Sequence, residues 1–182
     1  KYPNLIIPKV SLTRLDEELN KYIEPRAASA KIRLDNMRRL ADAGLKVIGL
    51  LMPMYYGIDD SAEKLEMIIS EFKKCGVSII KASYVLIRKG NSPKDIYIIN
   101  KMKEHPLLNE CLEKMTASII PHIGSASTVP LEIRNTLYKR ISDISSKHNI
   151  KFSACSVLDP EIFAISNNGY VRCKNVWIFR NK

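Results

Sequence analysis

The sequence lacks the features that identify a disulfide-bonded, zinc-binding or membrane-spanning protein. Its 182 residues include only four cysteines, at positions 75, 111, 155 and 173, and three histidines. No two cysteines have the Cys-x-x-Cys spacing of a metal pair, and four do not make the disulfide framework of a small secreted protein. No stretch approaches the ~18–20 consecutive apolar residues of a membrane span. We therefore expect a protein of the reducing cytoplasm that does not enter a membrane.

The chain begins Lys1-Tyr2-Pro3, without an initiator methionine and without a charged-then-apolar leader. Such a start favours a segment that begins inside a longer polypeptide. The length suits one domain, because single domains usually contain ~100–200 residues and can bury a substantial core at that size. We predict a single domain over residues 1–182.

Positive charge is in excess, with 29 lysines and arginines against 19 aspartates and glutamates, and a net charge of +10. An excess of this sign attracts polyanions, which gives one hypothesis for the chain: a basic, non-catalytic α/β module that binds nucleic acid. The basic residues are spread along the chain and form no block, a pattern that is typical of solvated helix faces. The net charge alone therefore does not decide whether the chain binds nucleic acid.

Short apolar runs begin near residues 5, 46, 78, 117 and 150, and segments with helical periodicity separate them. Strands that alternate with helices indicate βα units on a parallel sheet, either an open sheet or part of a barrel. Helices are predicted to begin at a Thr13 capping box and near Ser29, Asp60, Pro93, Pro106 and Pro130, with Met52–Gly57 as a loop after the second strand. Asn167-Asn168-Gly169 predicts a turn before a C-terminal hairpin or tail.

In such a fold, ligands bind at the carboxyl ends of the strands, where the βα loops meet. The residues predicted to lie there follow each strand: Ser11 and Thr13, Met52–Gly57, Arg88 and Lys89, His122–Ser127, and Cys155–Asp159. Tyr55, Tyr56 and Tyr84 have rings that would stack on a nucleic-acid base, although core packing is the commoner role of tyrosines in such places. Lys81 gives another hypothesis for the function, a cofactor-independent, aldolase-like lyase that uses a lysine on a strand.

Six segments carry a specific order of motifs: Ser11–Leu19 (SLTRLDEEL), Ile23–Ala27 (IEPRA), Arg33-Leu34 (RL), Ala43–Leu45 (AGL), Gly49–Asp60 (GLLMPMYYGIDD) and Tyr84–Arg88 (YVLIR). Together they resemble the middle of the spore-photoproduct-lyase-like radical S-adenosylmethionine (SAM) proteins, which are often labelled DNA repair photolyases. The resemblance covers about residues 5–90, roughly half of the chain, and the second half matches loosely.

The resemblance implies a partial parallel (β/α) barrel of the TIM-barrel type, of which this chain would be the C-terminal half. Members of that family bind a [4Fe–4S] cluster through three cysteines spaced Cys-x-x-x-Cys-x-x-Cys and cleave SAM to a 5′-deoxyadenosyl radical. This chain contains no such triplet, and thiolates are what hold these clusters. We therefore expect the cluster in a missing N-terminal half, and we expect the isolated fragment to be inactive and to retain no cofactor.

The same resemblance assigns residues 1–90 to the cofactor side of the site and residues 91–182 to the substrate side, with nucleic acid as the expected substrate. A half-barrel would also leave an open sheet edge that favours self-association or pairing with the missing half. By position in the family's motifs, the cofactor-binding residues would be Ser11, Glu24, Arg26, Arg33, Met52, Pro53 and Leu86. Ser11 would bond the ribose or carboxylate of SAM, Arg33 would pair with the methionine carboxylate, and Met52, Pro53 and Leu86 would line the adenine pocket.

Overall fold

The computed structural model describes residues 6–88, 93–116, 118–119 and 126–154, and these residues form an α/β fold. Strands and helices follow each other in the order β1 (Lys9–Ser11), α1 (Glu17–Ile23), α2 (Ala30–Asp42), β2 (Ile48–Met54), α3 (Ala62–Lys74), β3 (Ile79–Tyr84), β4 (Ile87–Arg88), α4 (Pro93–Lys103), α5 (Pro106–Thr116), β5 (Ser118–Ile119), β6 (Ala126–Thr128), α6 (Leu131–Lys147) and β7 (Lys151–Ala154).

Four of these strands form one parallel sheet in the order β1-β2-β3-β7. The order advances in one direction, and parallel crossovers are almost always right-handed, so the connecting helices α2, α3 and α6 fall on the same face of the sheet. Contacts agree with this arrangement, because α2 packs on β1 and α3, and α6 packs on α3, β3 and β7. The predicted α/β architecture with a parallel sheet is confirmed, whereas closure into a barrel stays a prediction.

Local sequence signals account for most helix ends. Ser29 accepts a hydrogen bond from Ile32 N (3.3 Å) and caps α2, as predicted. Gly44, with a φ of +79°, ends the same helix, and Leu45 N then bonds Leu40 O at 3.1 Å. These two features make the Schellman arrangement that a glycine favours.

Two helix starts differ from the prediction. Asp16, and not Thr13, caps α1, because its carboxylate accepts a hydrogen bond from Leu19 N (3.0 Å). In α3 the cap is Ser61, one residue after the predicted Asp60, and its hydroxyl accepts from Lys64 N (3.2 Å). Each segment offers two good capping residues within a few positions, so composition alone did not select the one that is used.

The prediction of a loop over Met52–Gly57 is wrong for its first three residues. Met52, Pro53 and Met54 lie in β2, which passes through a cis Met52–Pro53 peptide and a register shift between Leu51 and Met54. A proline has no N–H to donate, so it enters a strand only where the ladder is irregular. The strand starts at Ile48, two residues after the start predicted near residue 46, since an apolar run does not mark its own first paired residue.

The strand predicted near residue 117 also differs from expectation. β5 (Ser118–Ile119) does not join the parallel sheet; it belongs to a small antiparallel sheet with the order β4-β6-β5. Helices α4 and α5 pack against this second sheet, and Thr128 Oγ1 donates to Val85 O at 3.2 Å, just beyond β3. The elements β4, α4, α5, β5 and β6 therefore form an additional layer at the carboxyl end of β3.

The core lies between the parallel sheet and its helices. Among its completely buried side chains are Met37, Leu51, Leu65, Phe72 and Ile141. Across the part of the chain described, no helix is both long enough and apolar enough to traverse a membrane. The predicted C-terminal hairpin, the loop at 121–125 and Cys155–Asp159 lie outside the described residues.

Candidate site at the carboxyl edge of the parallel sheet

The two faces of the parallel sheet have different surroundings. Gly49, Ile80 and Phe152 are neighbours in register on one face. A Cβ added at Gly49 would lie 2.7 Å from the Phe72 ring of α3, and the Phe152 ring lies 5.8 Å from the Tyr138 ring of α6. This face is therefore the one that the helices cover.

The opposite face carries a polar row. Ser11, Leu50, Lys81 and Ser153 are register neighbours across the four strands, and alternation along each strand turns them away from the helices. Lys81 is only 8% exposed and Ser153 only 7% exposed, although lysine is among the side chains that are rarely buried. Apolar packing against helices thus occupies one face, whereas the row on the other face carries two hydroxyl groups and one ammonium group beside Leu50.

Four of the predicted site residues meet at the carboxyl ends of β1 and β2. Ser11 Oγ donates to Met52 O at 2.5 Å, and Arg33 Nη1 donates to Ser11 O at 3.0 Å. Arg33 Nη2 in turn pairs with Glu24 Oε2 at 2.6 Å. Segments that are 41 residues apart in sequence are joined here in one hydrogen-bonded network of Met52, Ser11, Arg33 and Glu24.

Arg33 is well held within this network. Its Nε donates to Ala28 O at 2.8 Å, so three of its five N–H groups have acceptors from the chain itself, and its side chain is 13% exposed. Two N–H groups of the guanidinium are left without a partner among the described residues. Arg33 therefore holds the β1–α1 and α1–α2 segments together, and its guanidinium can still donate hydrogen bonds to a ligand.

The other three predicted residues are placed differently. Arg26 is exposed and makes no hydrogen bond or ion pair with the rest of the described chain. Pro53 is half-buried inside β2, beside Met52. Leu86 is half-buried between β3 and β4, at the same carboxyl edge. The structure thus brings Met52, Pro53 and Leu86 to neighbouring strand ends and leaves Arg26 apart from the network.

A second charged network at this edge was not predicted from the sequence. Arg14 binds Asp59 through both oxygens, with Nε to Oδ1 at 2.8 Å and Nη2 to Oδ2 at 2.7 Å, and the two side chains are 6% and 0% exposed. Tyr55 N also donates to Asp59 Oδ2 at 2.7 Å. The pair fastens the loop after β1 to the loop after β2. No local pattern connects residues that are 45 positions apart.

Burial and charge act against each other in this pair. Burial raises the pKa of Asp59, and the hydrogen bonds and charge of Arg14 oppose that increase. For Arg14, burial would lower the pKa, but the contact with Asp59 outweighs it and the pKa is raised. The guanidinium therefore stays charged, and it also lies 5.1 Å from the centre of the Tyr55 ring.

The three tyrosines considered for base stacking have separate environments. Tyr55 is 7% exposed and Tyr84 is 3% exposed, so both belong to the core. Burial raises the pKa of Tyr55 to about 12, and burial together with the neighbouring Asp60 raises the pKa of Tyr84 still further. Tyr56 is half-buried, and its ring meets the Tyr84 ring edge to face at 6.2 Å. Tyr56 alone of the three keeps an accessible ring.

The described residues offer no cluster of ligands for a metal ion. They contain no group of three histidine, cysteine, aspartate or glutamate side chains that could hold an ion. Cys75 and Cys111 are both buried, and burial raises the pKa of each thiol, in Cys111 to about 12. A raised pKa opposes the thiolate form that iron–sulfur ligation requires.

Comparison with known proteins adds one relative. Over 125 residues the chain is 31% identical to uncharacterized protein ORF301 of Acidianus two-tailed virus, an alignment that takes in 66% of this chain and 41% of the viral protein. No protein-family model and no solved structure matches the chain. The chain is thus similar to a viral protein of which it spans about two fifths of the length.

Proposed function

We propose that this chain is the C-terminal part of a radical SAM enzyme, and that the carboxyl edge of its parallel sheet forms part of the SAM site. One observation carries the proposal. Ser11, Glu24, Arg33 and Met52, which the motif resemblance assigns to the cofactor, lie in a single hydrogen-bonded network at the ends of β1 and β2. The contact among these four residues supports the proposal, because it places the assigned groups within reach of one ligand at the carboxyl edge.

The partial barrel is part of the same proposal. A barrel sector needs parallel strands in sequential order, helices on the outer face and a different environment on the inner face. The order β1-β2-β3-β7, the helix-covered face and the polar row of Ser11, Lys81 and Ser153 support such a sector. The row would then face the barrel interior, with Ser11 as its half-buried member and Lys81 and Ser153 buried.

The residues at this edge fit SAM in part. The Ser11 hydroxyl donates to Met52 O and can still accept a hydrogen bond from a ribose hydroxyl. Arg33 has two N–H groups left for a carboxylate, and Lys81 adds a positive charge about 10 Å away, two strand spacings from Ser11. When bound in the complete enzyme, the [4Fe–4S] cluster and SAM would supply a 5′-deoxyadenosyl radical. The cysteines for that cluster are expected in the N-terminal half.

The residues at the carboxyl edge of the sheet have separate tasks in the proposal. Arg33 and Glu24 hold the main chain at Ser11 in position, so that the hydroxyl is presented at a fixed angle. Met52, Pro53 and Leu86 offer apolar surface to the adenine ring. Arg14 and Asp59 keep the two neighbouring loops together and exclude water from beneath the site.

The test uses the complete polypeptide that contains this segment, reconstituted anaerobically with iron and sulfide. Equilibrium dialysis with SAM should show that Ser11→Ala and Arg33→Met each weaken binding by roughly 10-fold or more, since hydrogen bonds to charged groups contribute about 1.5–3 kcal/mol. Arg39→Met, which removes an exposed arginine on the same helix as Arg33, is the control and should leave affinity unchanged. Equal affinity in all four proteins, or no cluster in the complete polypeptide, would overturn the proposal.

A measurement on residues 1–182 alone complements this test. Reconstitution should yield no stable cluster, as judged by iron content and visible absorbance, because the ligands lie elsewhere. A stoichiometric cluster in this segment would contradict the assignment of the cysteines to an N-terminal half.

The net charge of +10 supports a second candidate, a non-catalytic module that binds nucleic acid through its basic surface. This candidate predicts tight DNA or RNA binding without iron and a steep loss of affinity as salt rises, because counterions are released on binding. The enzyme proposal predicts weak, sequence-independent binding by the segment. Fluorescence anisotropy with a labelled oligonucleotide at two salt concentrations separates the two.

A further inference from the structure

A cleft of about 460 Å³ opens between the helix layer and the additional layer, to which α5 belongs. Its walls come from the β2–α3 loop, the end of β3, α5 and α6, so four segments distant in sequence contribute to it. The volume falls within the ~300–1,000 Å³ that is usual for small-molecule sites. Tyr84 lines the cleft and shares its strand face with Ile80 and Ala82, so the cleft lies on the helix-covered side, opposite Ser11.

Arg140 is the most informative residue of this cleft. It is half-buried in α6, and Nη1 donates to the main-chain oxygen of Asp60. This bond orients the guanidinium, and the four other N–H groups have no hydrogen-bond partner among the described residues. No carboxylate in that part of the chain forms an ion pair with Arg140. An oriented guanidinium with unused donors is suited to bidentate binding of a carboxylate or phosphate.

The rest of the wall adds a second cation and a flat apolar surface. Lys114 Nζ of α5 lies 5.1 Å from the centre of the Tyr56 ring. It also forms a solvent-exposed ion pair, at 2.5 Å, with Glu110 one turn earlier in the same helix. Such exposed pairs contribute little, about 0–1 kcal/mol, so a ligand can compete for the ammonium group. Ile133 of α6, which is half-buried, provides an aliphatic contact.

Two carboxylates also line the cleft, and they differ in availability. Asp60 accepts hydrogen bonds on both oxygens, from Gly57 N at 3.0 Å and from the Tyr84 hydroxyl at 2.7 Å, so its charge is already solvated by the protein. Glu132 is exposed in the first turn of α6. Its repulsion of an anion is screened by water and salt, and it weakens anion binding without preventing it.

We propose that this cleft binds a small organic anion, whose carboxylate or phosphate is held by Arg140 and Lys114 and whose ring or apolar body packs on Tyr56 and Ile133. The site is separate from the SAM site proposed above and does not depend on it, because the two open on opposite faces of the sheet.

Isothermal titration calorimetry with phenyl phosphate, benzoate and inorganic phosphate tests the site. Phenyl phosphate or benzoate should bind more tightly than inorganic phosphate, which lacks the apolar body, and the preferred member of the first two identifies the head group. Arg140→Met should weaken binding by roughly 10-fold or more. Arg39→Met, the exposed arginine of α2, should not change it.

Glu132→Gln should increase the anion affinity, whereas a structural defect would decrease it. Removing the nearby negative charge should tighten anion binding by roughly 2-fold, and thermal unfolding should confirm that every variant is folded. Absence of binding to the unmodified protein, equal affinity in the Arg140 and Arg39 variants, or weaker binding after Glu132→Gln would each overturn the inference.

Discussion

Replacing Asp59 by asparagine should destabilise the fold by about 3–5 kcal/mol, because it leaves the Arg14 guanidinium buried without its counter-charge. The carboxylate is completely buried and accepts three hydrogen bonds, from Arg14 Nε, Arg14 Nη2 and Tyr55 N, at 2.7–2.8 Å. Asparagine keeps the shape but replaces one acceptor with an NH₂ group that faces another donor. The cost is a large part of the total of about 5–15 kcal/mol that is typical of a domain.

The assay is urea unfolding followed by circular dichroism. Arg14→Lys is a milder second variant, which keeps the positive charge but loses the two-pronged contact, and it should cost less than Asp59→Asn. Glu104→Gln is the control, since the Lys101–Glu104 pair at 2.8 Å is exposed and should contribute about 0–1 kcal/mol.

A loss of less than about 1 kcal/mol in Asp59→Asn would refute this reasoning. It would mean that water reaches the pair when the protein is in solution, or that the loops after β1 and β2 separate without much cost. A loss in Glu104→Gln equal to that in Asp59→Asn would also refute it, because burial would then not be the cause.

Two further predictions concern packing and pH. Gly49→Ala should lower the free energy of unfolding in urea by about 1–3 kcal/mol, because the added Cβ would lie 2.7 Å from the Phe72 ring. Phe72→Leu in the same chain should recover part of that loss. An unaltered stability in Gly49→Ala would contradict the close contact. The pKa values of Tyr55 and Tyr84 are raised in the folded protein above 10.0, so the unfolded chain loses these protons first as pH increases. Stability should therefore be fully present below about pH 10 and should fall above it by about 1.4 kcal/mol per pH unit for each of the two groups, over a window that for Tyr55 ends near pH 12. Phenylalanine at either position should reduce this slope, whereas Tyr97→Phe, at a side chain that is 65% exposed, should not; identical slopes in all three variants would count against the burial of the two phenols.

Helix positions followed from short-range sequence patterns because a helix satisfies its hydrogen bonds within its own segment. Ser29 and Gly44 mark the two ends of α2, and Gly76, with a φ of +75°, marks the end of α3 as predicted. Helices α4 and α5 were also separated correctly at Pro106. Such signals act over three to five residues and can be recognised without the rest of the fold.

Strand pairing did not follow from the sequence to the same degree. The run at 117–120 was expected in the parallel sheet, but its described residues Ser118 and Ile119 pair with β6, and β7 pairs with β3. Two apolar runs of similar composition can each fill a position beside β3, and the choice depends on contacts made by α5 and α6 elsewhere. Pairing is a long-range property, so periodicity alone does not determine it.

The sequence by itself determined the βα alternation, most helix ends and the set of polar residues at the strand ends, because each depends on neighbours along the chain. Only the tertiary structure decided that Arg33 bonds Ser11 and Glu24, that Arg14 is buried against Asp59, and that Arg140 faces the same cleft as Lys114. Charged groups acquire their partners from distant segments, and the cost of burying them depends on those partners. For that reason the chemistry of both proposed sites could be named from the sequence only in part, and their geometry not at all.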